Sequence, residues 1–501
     1  MKKYWSLFMT VAIMALNSCS DDSSGIEPEV QSTEITRFSF LKSDNPGLDK
    51  DRYATIENEL ITGRLPLGVN IEKMVASFDH NGAEVRVNNN IQISGESEND
   101  FMHILNYQVS TDDGKSGQYE VDMTYFTGLP VIYLETVGGS DIDSKEDYFE
   151  GSISLEGGRY HTDVSSMEMK IRGRGNSTWM HPKKPFQMKF PEKTEMLGMP
   201  ADKKWIFLAE YSDKSLIRNK IAFDMGHLSS LDYTPHSVFA EVMINGKYNG
   251  TYNISQKVEE SDNRVVLGDT GYLLEIDQLE RLDPDDVYFR TDKFLINIKE
   301  PDTEYNSDTY NYARDLINEF EDALMGPGFA DPVSGYAKYI DVDSFIDWYL
   351  ISEIVKNQDS KSFSSIFLNV IPGEKIKMGP LWDFDLAFGN VDYSECEYPT
   401  GFWVKDHDWY ARLFEDQEFV EKVKTRFQYY RENQDFILDK MDSYATQLKW
   451  SQYENDEKWD LFGRYVWPNP VVYNTHQAEI NHLKSWYKQR MDWLDAAYKE
   501  M

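Results

Sequence analysis

Cysteine is almost absent, with two residues in 501. A disulfide-stapled scaffold is therefore excluded, and Cys19 has another use, set out below. That leaves Cys396 without a partner, so no internal disulfide and no cysteine-based metal site is expected. Long apolar runs are also missing after the first sixteen residues, and a spanning helix needs ~20. Positive charge is scarce: 51 Lys and Arg stand against 86 Asp and Glu, a net charge of −35. So negative a surface argues against nucleic acid and anionic lipid as partners. No His-Glu-x-x-His and no Gly-x-Ser-x-Gly occurs, which disfavours a metalloprotease and a serine hydrolase. Acidic pairs abound, yet nothing fixes two carboxylates across a sugar cleft, so a glycosidase is a weaker third reading. Apolar residues (41%) and aromatics (14%) are ample for a packed core. The length suggests two or three domains.

Lys2 and Lys3 precede an apolar run from Tyr4 to Leu16, broken only by Ser6 and Thr10. Residues 1–18 read as a cleavable signal. Leu16-Asn17-Ser18-Cys19 matches a lipobox, in which Cys19 becomes the acylated N-terminus. Each buried methylene of such a lipid contributes about 0.8 kcal/mol, so several chains anchor stably. The membrane is then met only through that lipid. An ordinary secretory signal with a chance Cys is the competing reading. Residues 19–32 form an acidic linker that cannot bury a core. Ser20-Asp21-Asp22 resembles the surface-export tag of Bacteroidetes lipoproteins, which implies an outer-membrane, cell-surface location. A plain solvated spacer accounts for those residues equally well.

Residues 33–127 alternate in short strands, as in Ile35–Phe40, Glu84–Val87 and Tyr119–Met123, with turn signals between them. That spacing predicts an all-β sandwich, Ig-like, in a spacer or adhesion role. Residues 128–501 begin strand-rich and turn helical after Tyr305. The fold class expected is α+β: a two-lobed body preceded by the sandwich.

Two places carry chemistry. The strand Met167–Ile171 runs into Arg172-Gly173-Arg174-Gly175-Asn176-Ser177-Thr178-Trp179, followed by Lys183-Lys184-Pro185-Phe186 and Lys189. Paired glycines let backbone approach an anion, and successive N–H groups form a nest for phosphate. The pattern is neither a Walker loop nor Gly-x-Gly-x-x-Gly. A tight hairpin with locally paired bases explains it equally well. The second place is a buried-looking helix, Phe345–Val355, running into Lys356-Asn357-Gln358-Asp359 and then a hairpin about Pro372-Gly373. Facing positions then sum to about 745, which sets Asp383 and Asp385 opposite Ser362 and Ser360, just past Asp359. Three carboxylates gathered so closely need a cation or a raised pKa. Mg²⁺ held by one or two carboxylates and substrate phosphates is the natural resident. Solvated or capping aspartates are the plainer account. A phosphate-facing loop and an Asp–hairpin–Asp element together have the layout of a protein kinase.

From about Gly128 to Met501 the chain resembles the CotH kinase family. The matching pieces are Arg172–Trp179, Lys183–Phe186, Asp213–Asn219, Ile244–Tyr252 and Trp382–Gly389. The resemblance implies an atypical protein-kinase-like fold that uses ATP and a divalent metal, Mg²⁺, to phosphorylate protein serines. By position it implies Asp359 as the catalytic Asp, and Asp383 with Asp385 as metal ligands. It sets Lys184 or Lys189 at the phosphates, with Arg172, Arg174, Asn176 and Ser177 in the nucleotide loop and Glu275 near the nucleotide. Ser364 stands where many members carry an Asn as second metal ligand. Gln256 stands where an acid is common.

Two functions follow from these expectations. One is a metal-dependent phosphotransferase acting on protein Ser or Thr. The other is a catalytically inactive kinase-like surface module that binds a glycan or a protein partner. For the latter, Trp403, Trp409, Trp450, Trp459 and Trp467 would stack on sugars, unless helical spacing makes them core.

Overall fold

The computed structural model describes residues 31–361 and 363–501. The signal residues, Cys19, the linker up to residue 30, and Ser362 lie outside the described residues. The chain divides into two compact units. One runs through Gly63 and from Val69 to Met123; the other holds Arg64–Gly68 and Thr124–Met501. Among the described residues no helix is long and apolar enough to cross a membrane.

The first unit is a three-stranded and a six-stranded sheet, with a short two-stranded ribbon. Alternation sets the register. Tyr107 lies between Tyr119 on one neighbour and Val87 on the other. Tyr119, Val121 and Met123 are buried while Gln118 and Glu120 point to water. Phe38, Phe40, Phe78, Phe101 and Tyr107 pack edge-on in one aromatic core between the two larger sheets.

The second unit is a mixed α+β fold that opens with a closed barrel. Its strands are β1 (Val131–Thr136), β2 (Phe149–Glu156), β3 (Val164–Gly173), β4 (Phe186–Met196), β5 (Met199–Leu208), β6 (Ser237–Ile244) and β7 (Lys247–Gln256). The order around it is β1-β2-β3-β4-β5-β7-β6, closed by a parallel pairing of β1 with β6. Closure removes both sheet edges. Buried residues such as Ile132, Ile171, Met188, Trp205, Phe207 and Tyr252 pack together as its core. Strand β4 starts at Phe186, after the Lys183-Lys184 pair. Pro185 lacks the N–H that a ladder needs, so Lys183 and Lys184 remain in the loop.

A second sheet follows, built from β8 (Tyr272–Asp277), β9 (Val287–Arg290), β10 (Leu295–Glu300), β11 (Ile366–Val370) and β12 (Lys377–Met378), in the order β9-β10-β8-β11-β12. It shares one core with the helices α1 (Arg218–His227), α2 (Asp308–Met325), α3 (Val342–Ile354), α4 (Asp408–Leu413), α5 (Gln417–Glu432), α6 (Gln434–Gln447) and α8 (His476–Glu500), while α7 (Ser451–Trp459) packs on β7, where Trp459 Nε1 donates to the Asn249 carbonyl at 3.0 Å. Helix α3 is buried on every side from Ser344 to Ile354, as an apolar helix without a polar stripe must be. The helical stretch Gln417–Gln447 is broken at Asn433 into α5 and α6.

The β11–β12 hairpin pairs Leu368 with Met378 and Asn369 with Lys377. That is one residue out of the register read from the sequence. Ile376 leaves the hairpin early, donating to the Tyr339 carbonyl, while Glu374 closes the turn on Ile371. The tryptophans divide too. Trp409 is fully buried among Phe294, Phe320 and Phe345, whereas Trp467 keeps 46% of its surface exposed.

Candidate functional site

The site forms where the end of α3, the start of β11 and the segment after β12 meet. Helix α3 delivers its last turn to Lys356, whose ammonium donates to the carbonyls of Glu395, Tyr398 and Thr400. Phe388 N–H closes back on the Val355 carbonyl at 2.7 Å. Lys356, Ser365, Asp383 and Phe388 all have φ between 50° and 67°. Left-handed backbone at a non-glycine residue costs ~1–3 kcal/mol, and such strain collects at functional sites. Here it turns the chain sharply enough to bring separate carboxylates together.

Asp359 sits on the one-turn helix Gln358–Ser360 with its side chain 15% exposed. Burial first, then the charge of Asp383, raise its carboxyl to about 7, and Arg281 opposes them. Asp383 lies on the far side of the hairpin. Its carboxylate accepts from the Ser365 hydroxyl at 3.4 Å and its carbonyl from Asn357 Nδ2 at 3.1 Å. Asn357 Oδ1 is buried beside them without a hydrogen-bond partner. Asp385 is held well above the usual carboxylate range by burial, then by Asp383, Glu210 and Asp359. Its carbonyl accepts from Asn390 Nδ2 at 2.8 Å. Glu210 continues the row of acids; burial and Asp213 push it up to about 8. Asn219 ties the row to α1, donating to Glu210 at 3.1 Å and accepting from Phe384 N–H at 2.7 Å.

Glu275, in the middle of β8, faces the same region. It accepts from Ser365 N–H at 3.1 Å and lies 4.0 Å from the Lys299 ammonium. Burial and Asp277 raise it to about 8. Lys299 also reaches Asp286 at 3.3 Å. The lysine beside this buried glutamate is thus Lys299 of β10.

The basic loop divides. Arg174 stacks over the Trp382 ring at 5.3 Å and lies in the field of Asp383, Glu275 and Asp385. Arg172 and Lys189 instead share the Tyr148 ring, at 4.9 and 4.0 Å. Register sets Lys189 beside Lys170 and Lys204, and together with Arg172 they lower its pKa further after burial. Lys184 is tied to its own loop, donating to the Trp179 carbonyl at 2.5 Å. Lys183 is fully buried, bound to the Thr251 carbonyl and to Asn455 at 2.9 Å. Asn176 and Ser177 are exposed. The glycines serve packing: a Cβ on Gly173 would lie 2.3 Å from the Trp179 ring, and one on Gly175 would lie 2.2 Å from Thr178 Oγ1. Ser364 is buried, and its hydroxyl accepts from Arg281.

Arg281, Lys299, Glu210 and Asn219 join the site without having been singled out in the sequence. Arg281 follows the end of β8 by four residues, and Glu210 follows β5 by two. A charged residue just past an apolar strand is the signal that could have marked both.

The residues present fit a divalent cation of the kind held by few protein ligands. Among the described residues no three His, Cys, Asp or Glu side chains form a metal cluster. Mg²⁺, however, is held by one or two carboxylates with phosphate oxygens supplying the rest. Asp383 and Asp385 meet that need, and their mutual repulsion gives a cation something to relieve.

Comparison with known proteins gives three findings. A family model described as CotH kinase protein matches residues 171–494. Inner spore coat protein H of Bacillus subtilis is 26% identical over 229 residues, which are 43% of this chain and 59% of that protein. The chain therefore spans about three-fifths of that relative's length. A solved structure from Bacteroides thetaiotaomicron, named as a candidate glycoside hydrolase, is 16% identical over 56% of this chain and 86% of its own, with a TM-score of 0.16. A score that low carries no argument about fold or activity. The match over residues 171–494 shows the family: the chain belongs to the CotH kinase protein family.

Proposed function

We propose that this chain is an ATP- and Mg²⁺-dependent phosphotransferase acting on protein Ser or Thr, built on a two-lobed kinase-like frame. In this reading a lipid on Cys19 holds it at the outer membrane with its body toward the cell surface. The observation that carries the reading is Asp359 and Asp383, 24 positions apart in the chain yet close enough for the charge of Asp383 to raise the cost of ionising Asp359. Asp359 accepts the proton of the attacking hydroxyl. Asp383 and Asp385 hold the metal, and Arg174 and Lys299 balance negative charge on either side. ATP with Mg²⁺ supplies the phosphoryl group and screens its charge. The test is incubation of the purified mature chain with γ-³²P-ATP, Mg²⁺ and mixed envelope proteins. Label should enter protein with the wild type and be lost with Asp383→Ala. Absence of label, or equal label in both, sinks the reading.

A second reading is an inactive kinase-like module that binds a glycan or protein partner. It draws on Trp467 and Tyr393, offset-stacked at 5.8 Å and about half exposed. The Tyr393 hydroxyl lies in the field of Asp359 and Asp385, so the rings flank the acids. A glycan array on which nothing binds in a Trp467-dependent way counts against it.

A further inference from the structure

Arg281 belongs to the site but has no part in the proposed chemistry so far. It ends the turn Leu279–Arg281, directly after β8. The pairing of β8 with β11 sets Ile276 opposite Ile366. Continuing that register brings the residues just past β8 against those just before β11, where Ser364 and Ser365 lie. Ser365 is fixed there by its N–H bond to Glu275. The Arg281 guanidinium can then do two things with one nitrogen. Nη1 donates to the Ser364 hydroxyl and lies 3.8 Å from Asp359 Oδ2.

In protein kinases the residue five after the catalytic Asp is an Asn that holds a second Mg²⁺. Here that place is Ser364, and its oxygen already faces a fixed positive charge. A second Mg²⁺ on Ser364 would need to sit ~2.1 Å from that oxygen. It would lie against the guanidinium, and two cations at that range repel strongly in a cleft that water only partly reaches. An arginine, unlike a lysine, never loses its charge and keeps donors free after binding two partners.

We infer that Arg281 occupies the place of a second cation, so that the site works with a single divalent ion on Asp383 and Asp385. This rests on the phosphotransferase reading. Arg281 holds Asp359 and Ser364 in place and turns its remaining donors toward the phosphate oxygens. It is a positioning residue for Asp359 and a built-in charge for the transferring group.

The test counts metal ions rather than turnover alone. Mn²⁺ binding to the full mature chain is followed by electron paramagnetic resonance with a non-hydrolysable ATP analogue. Wild type should bind one Mn²⁺ per chain. The double variant Arg281→Ala/Ser364→Asn, which removes the guanidinium and restores the amide oxygen, should bind two. In turnover, Arg281→Ala should lower kcat ~100-fold, with KM for ATP within ~3-fold, and Arg281→Lys should recover about tenfold. Circular dichroism melting checks that each variant folds. Two Mn²⁺ in the wild type, or an unchanged kcat in Arg281→Ala, overturns the inference. Absence of both nucleotide and Mn²⁺ binding overturns it along with the phosphotransferase reading. One Mn²⁺ in the wild type and two in the double variant, without turnover in either, supports the cation assignment and removes the transfer step alone.

Discussion

Glu210 is the sharpest place to perturb the acid row without touching the groups proposed to do chemistry. Its carboxyl is buried, and it accepts from Asn219 at 3.1 and 3.3 Å and from Asn253 at 3.4 Å. Its pKa stands at about 8 against an ordinary 4.5. The folded state therefore holds this proton more tightly than the unfolded chain does. Stability falls as pH rises through the window from 4.5 to about 8 and levels off above it. At ~1.4 kcal/mol per unit, the cost is ~1 kcal/mol at pH 5 and ~4 kcal/mol at pH 8. Glu210→Gln keeps the shape and abolishes the ionisation. It also turns an amide donor toward Asn219, losing one hydrogen bond worth ~1 kcal/mol. The variant should match wild type within ~1 kcal/mol at pH 5 and exceed it by ~3 kcal/mol at pH 8. Lys183, itself lowered to about 7, is largely neutral at pH 8 and loses little when Glu210 is replaced. Urea denaturation at both pH values, followed by tryptophan fluorescence, reads the difference. A gap that does not change with pH, or a variant that grows weaker as pH rises, refutes the reasoning that burial, with Asp213 beside it, holds the Glu210 carboxyl protonated.

The same structure leads to three further outcomes. Breaking the buried pair between Arg218 and Asp213, 3% and 0% exposed, by Asp213→Ala should cost ~3–5 kcal/mol, because an uncompensated guanidinium remains inside. Arg218 also donates to the Ala387 carbonyl at 3.2 Å, so nucleotide affinity should fall together with the melting temperature. Phosphotransfer at saturating ATP should rise with pH through about 7 as Asp359 loses its proton. In Arg281→Ala the midpoint should move upward, since the charge that opposes the rise is gone; a flat profile from pH 5 to 9 excludes Asp359 as base. Cys396 is buried, and burial pushes its thiol up to about 12. In chain beginning at Ser20, a thiol reagent should label less than a tenth of it natively and all of it in denaturant; rapid native labelling contradicts that burial.

Local pattern carried much of the fold. The strand-rich start of residues 128–501, which holds Val131–Thr136 and Tyr272–Asp277, and the buried run of α3 were readable in place. Met199–Leu208 went unrecognised as a strand, because Asp202, Lys203 and Lys204 interrupt its apolar pattern; Lys204 is matched by Glu259 at 2.9 Å and Asp202 by Ser261. Simple hairpin counting brought Asp359 and Asp383 to one place even though the register was one residue off, since two carboxylates need only share an end of the sheet. The basic loop was less legible. Arg172 and Arg174 are two residues apart, which in an extended strand means one face. Strand β3 stops at Gly173, however, and Arg174 N–H turns to the Pro185 carbonyl at 3.2 Å. One arginine therefore goes to Tyr148 and the other to the acids. Arg281 was out of reach altogether. It stands 83 positions from Ser364, and only the pairing of β8 with β11 brings them together.

Asp383 and Asp385 are proposed to bind a nucleotide-linked cation. Isothermal titration of ATP into the mature chain, with and without Mg²⁺, tests it most directly. Binding should require Mg²⁺ in the wild type, vanish in Asp383→Asn and persist in the distant control Asp347→Asn, whose carboxylate serves Arg426 and Tyr430 instead. ATP binding that ignores Mg²⁺ and survives Asp383→Asn, or no binding at all, would contradict the account.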